Sequence, residues 1–176
     1  MKNQLSKLVL FAAIAACGNV LAQQPQPAPN PLDNVAENMP FDVPYGTPIS
    51  LDRAEAAIAA TVAESKKRNW KMNIAVVDSG GNLVSFKRMD GAQLSSIAIS
   101  EAKARSAANF RRETKVFESG MYVNGYSHLA TLPGIVGSRG GIPIIENGKL
   151  IGAIGCSGGT GAQDEVVCKV GVAALK

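Results

Sequence analysis

Beyond position 48 the hydrophobic residues follow two alternating spacings. Leu51, Ala54, Ile58 and Val62 recur every three or four residues and form one face of a helix, with Ser50 at the N-cap position and Asp52 in the first turn. This helix is predicted to end near Asn69. Met72–Asp78 is an apolar run rich in β-formers, Asp78-Ser79-Gly80-Gly81-Asn82 has turn chemistry, and Leu83–Arg88 completes a first hairpin. Helical spacing returns from Ser95 to Arg111, with Ile97, Glu101, Ala104 and Ala108 in line and an alanine-rich surface suited to close packing on a sheet. Thr114 opens a short third helix that is expected to stop at Gly120. Met121 to Gly141 has no period and contains Tyr122, Tyr126, His128 and Pro133; a loop of this length in a compact domain is often functional or covered by a partner.

Two more apolar runs follow, Ile142–Ile145 and Leu150–Ile154, joined by Asn147-Gly148. Asn-Gly between such runs predicts a type I′ hairpin turn, which requires positive φ at both central residues. The second run leads into Ser157-Gly158-Gly159-Thr160-Gly161, and a last helix is expected from Asp164 to Leu175. Free N–H groups at that helix start offer a place for an anion. Strand–helix–strand alternation is missing, so the fold class is α+β: an antiparallel sheet of two hairpins flanked by helices.

The N-terminus reads as a signal peptide over residues 1–22, basic at Lys2 and Lys7, apolar from Leu8 to Ala16, and closing on Val20-Leu21-Ala22. Its apolar run is too short to cross a bilayer. Ile14-Ala15-Ala16-Cys17 also resembles a lipobox, which would make Cys17 a lipid anchor; both readings export the chain to the periplasm or outside the cell. Residues 23–48 hold most of the nine prolines and form a linker, whose last part, Met39 to Pro48, is expected to lie extended along the domain. The folded domain is then 49–176.

Without Lys2 and Lys7 the 18 basic residues fall to 16 against 14 acidic, a net of +2, so the basic pI owes much to the leader and nucleic acid is not an expected partner. Lys66-Lys67-Arg68 reads as a solvated helix end. Cys156 and Cys168 either form a disulfide, which an oxidising compartment favours, or stay as two buried thiols. With no CxxC and one histidine, metal and redox chemistry are not indicated.

Lys103, on the alanine-rich helix, needs a partner: a carboxylate ligand, or an internal carboxylate such as Asp164. Arg139 precedes Gly140 and Gly141, where bare backbone lets a ligand approach or simply turns the chain into a strand. Asp164 suits a helix start and borders the loop of Ser157, Gly158 and Gly159. That loop matches neither GxxxxGK[ST] nor GxGxxG, and its hydroxyls have no base nearby in sequence, so neither nucleotide binding nor hydrolysis is favoured.

The blocks RMDGA at 88–92, EAKARSAANF at 101–110, GGIPI at 140–144 and GKLIGAIGCSGGTGAQDE at 148–165 resemble the GlcG/HbpS-like family, which includes PduO C-terminal domains. The resemblance implies a profilin-like domain, a homo-oligomer and, in some members, haem binding. An aliphatic residue is expected at Cys156 and a small one at Cys168, so the cysteine pair looks particular to this chain. With haem as cofactor, His128 is a candidate iron ligand or a loop histidine satisfied by a carbonyl; Tyr122 and Tyr126 are alternatives. Propionates would meet Lys103, Arg139 or the loop amides. The leading expectation is an exported small-molecule-binding protein for haem or another tetrapyrrole. The alternatives are an accessory factor or enzyme acting on a small hydroxy-acid or aldehyde, and an oligomer-forming structural module.

Overall fold

The computed structural model describes residues 28–30, 33–39 and 41–176. The expected leader, with Cys17, lies outside the described residues. The chain divides into two units, Met1–Glu37 and Asn38–Lys176. Of the first, the described residues are all exposed. The second holds the elements α1 (Leu51–Lys67), β1 (Asn73–Asp78), β2 (Leu83–Arg88), α2 (Ser95–Phe110), α3 (Lys115–Tyr122), a 3₁₀ turn (Ser127–Thr131), β3 (Gly141–Glu146), β4 (Lys149–Ser157) and α4 (Gly161–Ala173).

Both hairpins form, and β1 pairs with β4 to join them into one antiparallel sheet of order β2-β1-β4-β3. The expected α+β class is the observed one. Asn147 and Gly148 take φ 49° and 73°, as a type I′ turn demands. Successive residues of β1 serve opposite faces: Ile74 and Val76 join Ile58, Ile154 and Val167 under α1 and α4, while Ala75 and Val77 join Ala104, Ala107 and Ala108 of α2. Each fully buried Ile or Val contributes roughly 1.5–3 kcal/mol.

The α2 face is built for close approach. A Cβ added at Gly155 would fall on the backbone of Ser100 and Ala104, and one at Gly141 on the carbonyl of Lys103. Small residues on both sides therefore bring the helix backbone down onto β3 and β4.

Residues assigned to the linker take part in this unit. Gly46 N–H donates to Leu150 O at 2.7 Å, Leu150 N–H to Pro44 O at 2.9 Å, and Ile49 N–H to Ile151 O at 2.8 Å.

Several expected boundaries move. The last helix begins at Gly161, because Thr160 and Gln163 form a capping box three residues before Asp164. α3 runs past Gly120 to Tyr122; Gly120 is buried where Leu129 crosses it, so it is a packing glycine and not a helix stop. Ser50 occupies the N-cap position of α1, but its side chain makes no capping bond.

Candidate functional site

At the end of the sheet where β4 passes into α4, a buried ion pair crosses from α2. Lys103 Nζ lies 2.8 Å from Asp164 Oδ2 and 3.3 Å from the carbonyl of Cys156, and both charged side chains are 2% exposed. The pair thus resolves the two readings of Lys103 toward the internal carboxylate. Asp164 Oδ1 accepts the N–H of Gly159 at 3.0 Å. Burial pushes the Asp164 carboxyl above its ordinary range, against the opposing pull of the Lys103 charge and the loop N–H groups. Gly140 sits against this pair; a Cβ there would meet Asp164 and the Cys156 carbonyl, and φ is 115°. Its glycine identity is what lets the chain pass.

The glycine loop is satisfied from within. Gly159 N–H goes to Asp164, Thr160 N–H goes to Gln163 Oε1 at 2.8 Å, and Gly158 lies against the Lys71 carbonyl. Ser157 Oγ donates to Ser96 Oγ at 3.0 Å in the interior. Gly141 exchanges backbone and side-chain bonds with Thr114, N–H to Oγ1 at 3.0 Å and carbonyl from the Thr114 N–H at 3.0 Å. Little of the expected anion cradle is left unbonded.

Arg139 stands outside this core and is equally engaged. Its guanidinium binds Glu118 at 2.6–2.7 Å and reaches Glu165 at 3.4 Å, while its own N–H donates to Glu118 Oε2 at 2.7 Å. Glu165 also binds Lys169 and Lys115, and Lys169 binds Glu113. Burial opposes ionisation of Glu118 and Glu165, but hydrogen bonds and charge from Arg139 and Lys169 outweigh it and hold both carboxyls below their usual range. Nothing in sequence order signalled these partners, which lie 21 and 26 residues from Arg139. Beside them is a shallow depression of about 600 Å³ lined by Tyr122, Ser138, Arg139 and Gly161.

Cys156 and Cys168 form a disulfide between β4 and α4, with Cα atoms 5.8 Å apart and both residues fully buried. His128 is exposed on the 3₁₀ turn, its ring centroid 6.0 Å from that of Tyr126. Its carbonyl accepts the Thr131 hydroxyl at 2.7 Å, and its ring makes no hydrogen bond among the described residues. It does not border the depression at Arg139. As a haem cradle, the glycine-loop end fits poorly: Lys103 and Arg139, the cations expected to meet propionates, are both neutralised by the protein's own carboxylates.

These features define a small α+β domain with one four-stranded antiparallel sheet between a helix pair and a single alanine-rich helix. Within that class the chain belongs to the HbpS-like family, described as haem-degrading protein HbpS-like, whose model matches residues 49–173. It is 45% identical over 109 residues to protein GlcG of Escherichia coli K12, covering 62% of this chain and 81% of GlcG. Its fold is similar to that of an HbpS double mutant from Streptomyces reticuli, with a TM-score of 0.69 and 28% identity over 85% of this chain and 99% of that one. It is also similar to the PduOC:haem complex, with a TM-score of 0.66 over 73% of this chain and 95% of that one; at 23% identity this likeness concerns the fold alone.

Proposed function

We propose that this protein is an exported binding protein for haem or a related tetrapyrrole. The observation that carries the reading is membership of the HbpS-like family across residues 49–173. The signal-like leader and a buried disulfide, a bond that persists in oxidising compartments, support a periplasmic or extracellular location. Bound haem would supply its own iron chemistry; the chain's part is to hold the macrocycle and its carboxylates. His128, with its ring free of protein hydrogen bonds, is the histidine offered to the iron. Tyr122 and Val123, each 79% exposed, support assembly into a homo-oligomer.

Hemin titration tests the reading. A saturable Soret shift is expected. Absence of any shift overturns haem binding, and a spectrum unchanged in His128→Ala removes that residue as the ligand.

A second reading, an accessory factor or enzyme for a small hydroxy-acid or aldehyde, draws on the 45% identity to GlcG. It is weakened by the internal bonding of the glycine loop that would hold the carboxylate. A thermal-shift screen of small carboxylates that raises the melting temperature would revive it.

A further inference from the structure

Four cations that make no ion pair among the described residues, Lys66, Lys71, Lys87 and Arg88, lie together at another edge of the molecule, between α1 and β2. We propose that this groove binds a planar apolar dianion, a tetrapyrrole with two carboxylates; the proposal rests on the haem reading above and sets the ligand away from the glycine loop.

Three separate stretches of sequence converge there. Lys66 comes from the last turn of α1, Lys71 from the approach to β1, and Lys87 and Arg88 from the end of β2. The hairpin register, Asn73 opposite Arg88 and Ile74 opposite Lys87, brings the last two beside the start of β1. All four border one cavity of about 410 Å³ whose apolar lining is Val62, Trp70 and Met89. A second cavity, of about 580 Å³, shares Val62, Lys66 and Lys87 and continues along α1 over Ile58 and Phe86. The groove therefore mixes apolar and polar lining, with the cations gathered at one end and Glu55 and Ser85 bordering the stretch along α1. Such dimensions are those of small-molecule sites.

Charge separates this groove from the glycine-loop end. Lys103, Lys115, Arg139 and Lys169 each have an acidic partner. Among the described residues Lys66, Lys71, Lys87 and Arg88 have none, and a single carboxylate, Asp90, stands on the rim of their cavity. A cation at a helix C-terminus accounts for Lys66, and charges on an edge strand account for Lys87 and Arg88. Neither accounts for their meeting Lys71 beside Trp70 and Met89, side chains that pack inward on the core and, for Trp70, carry the Arg68 guanidinium over the ring at 5.0 Å. A flat apolar ring system would cover that apolar lining, and its carboxylates would take the charge-assisted contacts the protein leaves unmade.

Trp70 is the one tryptophan in the chain, so its fluorescence reports on the groove directly. Purified protein is titrated with hemin, with iron-free protoporphyrin IX and with its dimethyl ester, following both the Soret band and Trp70 emission. We expect saturable quenching by the free acid, at least tenfold weaker binding of the ester, and a rise of about tenfold or more in Kd in the K87E/R88E double variant. That ratio corresponds to about 1.4 kcal/mol. Both residues are exposed, so the variant keeps its fold. Arg139→Gln should leave the Kd unchanged. A Soret shift whose Kd is unaltered in K87E/R88E, or equal binding of acid and ester, overturns the groove while haem binding stands. No Soret shift and no quenching by either free-acid porphyrin overturns both.

Discussion

Lys103 Nζ and Asp164 Oδ2 lie 2.8 Å apart with both side chains 2% exposed, and this contact ties α2 to the first turn of α4 beneath the glycine loop. Removing one partner leaves the other charge buried and alone. Lys103→Met is expected to lower unfolding free energy by about 3–5 kcal/mol. The double variant Lys103→Met/Asp164→Leu, which removes both charges, should recover much of that loss. Urea titrations of the two single variants and the double variant measure the coupling; additive losses would mean that the pair is not an energetic unit.

The disulfide closes a loop with a sequence separation of 12. A loop of this size, cross-linked, stabilises by roughly 3 kcal/mol in the chain-entropy account. Replacing both Cys156 and Cys168 by Ala should therefore lower the melting temperature markedly. Thiol counting on the denatured, unreduced protein should find neither of the two cysteines reactive; two reactive thiols from Cys156 and Cys168 would refute the bridge.

Acid should unfold the domain through Glu118 and Glu165. Their native carboxyls are held below the usual carboxylate range, so they contribute stability above the unfolded-chain value of about 4.3, and that contribution is lost as pH falls through their lower native range. Asp164 runs the other way: burial raises its native pKa, so it takes up a proton before the unfolded chain does and offsets part of the loss. Glu118→Gln should be less stable than wild type at neutral pH and should show a shallower decline below about pH 4.3. Parallel curves for the two proteins would exclude Glu118 from the acid response.

Gly155 admits no side chain without displacing α2, because a Cβ would meet the backbone of Ser100 and Ala104. Gly155→Ala should cost about 1–3 kcal/mol, as overpacking does. Gly148→Ala differs in kind: nothing lies near its Cβ, but φ is 73°, so the penalty is one of backbone conformation, on the order of 1 kcal/mol. Denaturant midpoints should rank Gly155→Ala as the less stable; the reverse order would contradict the close packing of α2.

Both hairpins and the three longer helices were legible because each rests on local chemistry. Period-two and period-3.6 hydrophobic spacing, and the Asn147-Gly148 pair, act over a few residues. Asp164 could be placed near a helix start, yet Thr160 and Gln163 set the true start, since a capping box outweighs a lone first-turn carboxylate. The stretch after Gly120 offered no period because its order comes from packing, such as Leu129 over Gly120.

The sequence by itself determined the fold class, the hairpin turn and a lysine on an alanine-rich helix that had to find a partner. Tertiary structure alone decided which partner. Ion pairs among Lys103, Asp164, Arg139, Glu118 and Glu165 span 21 to 61 residues, and a charge carries no mark in sequence of the opposite charge that folding brings to it. Tertiary packing likewise brought Lys66, Lys71, Lys87 and Arg88 together without a carboxylate partner, since their meeting depends on how α1 packs across the first hairpin.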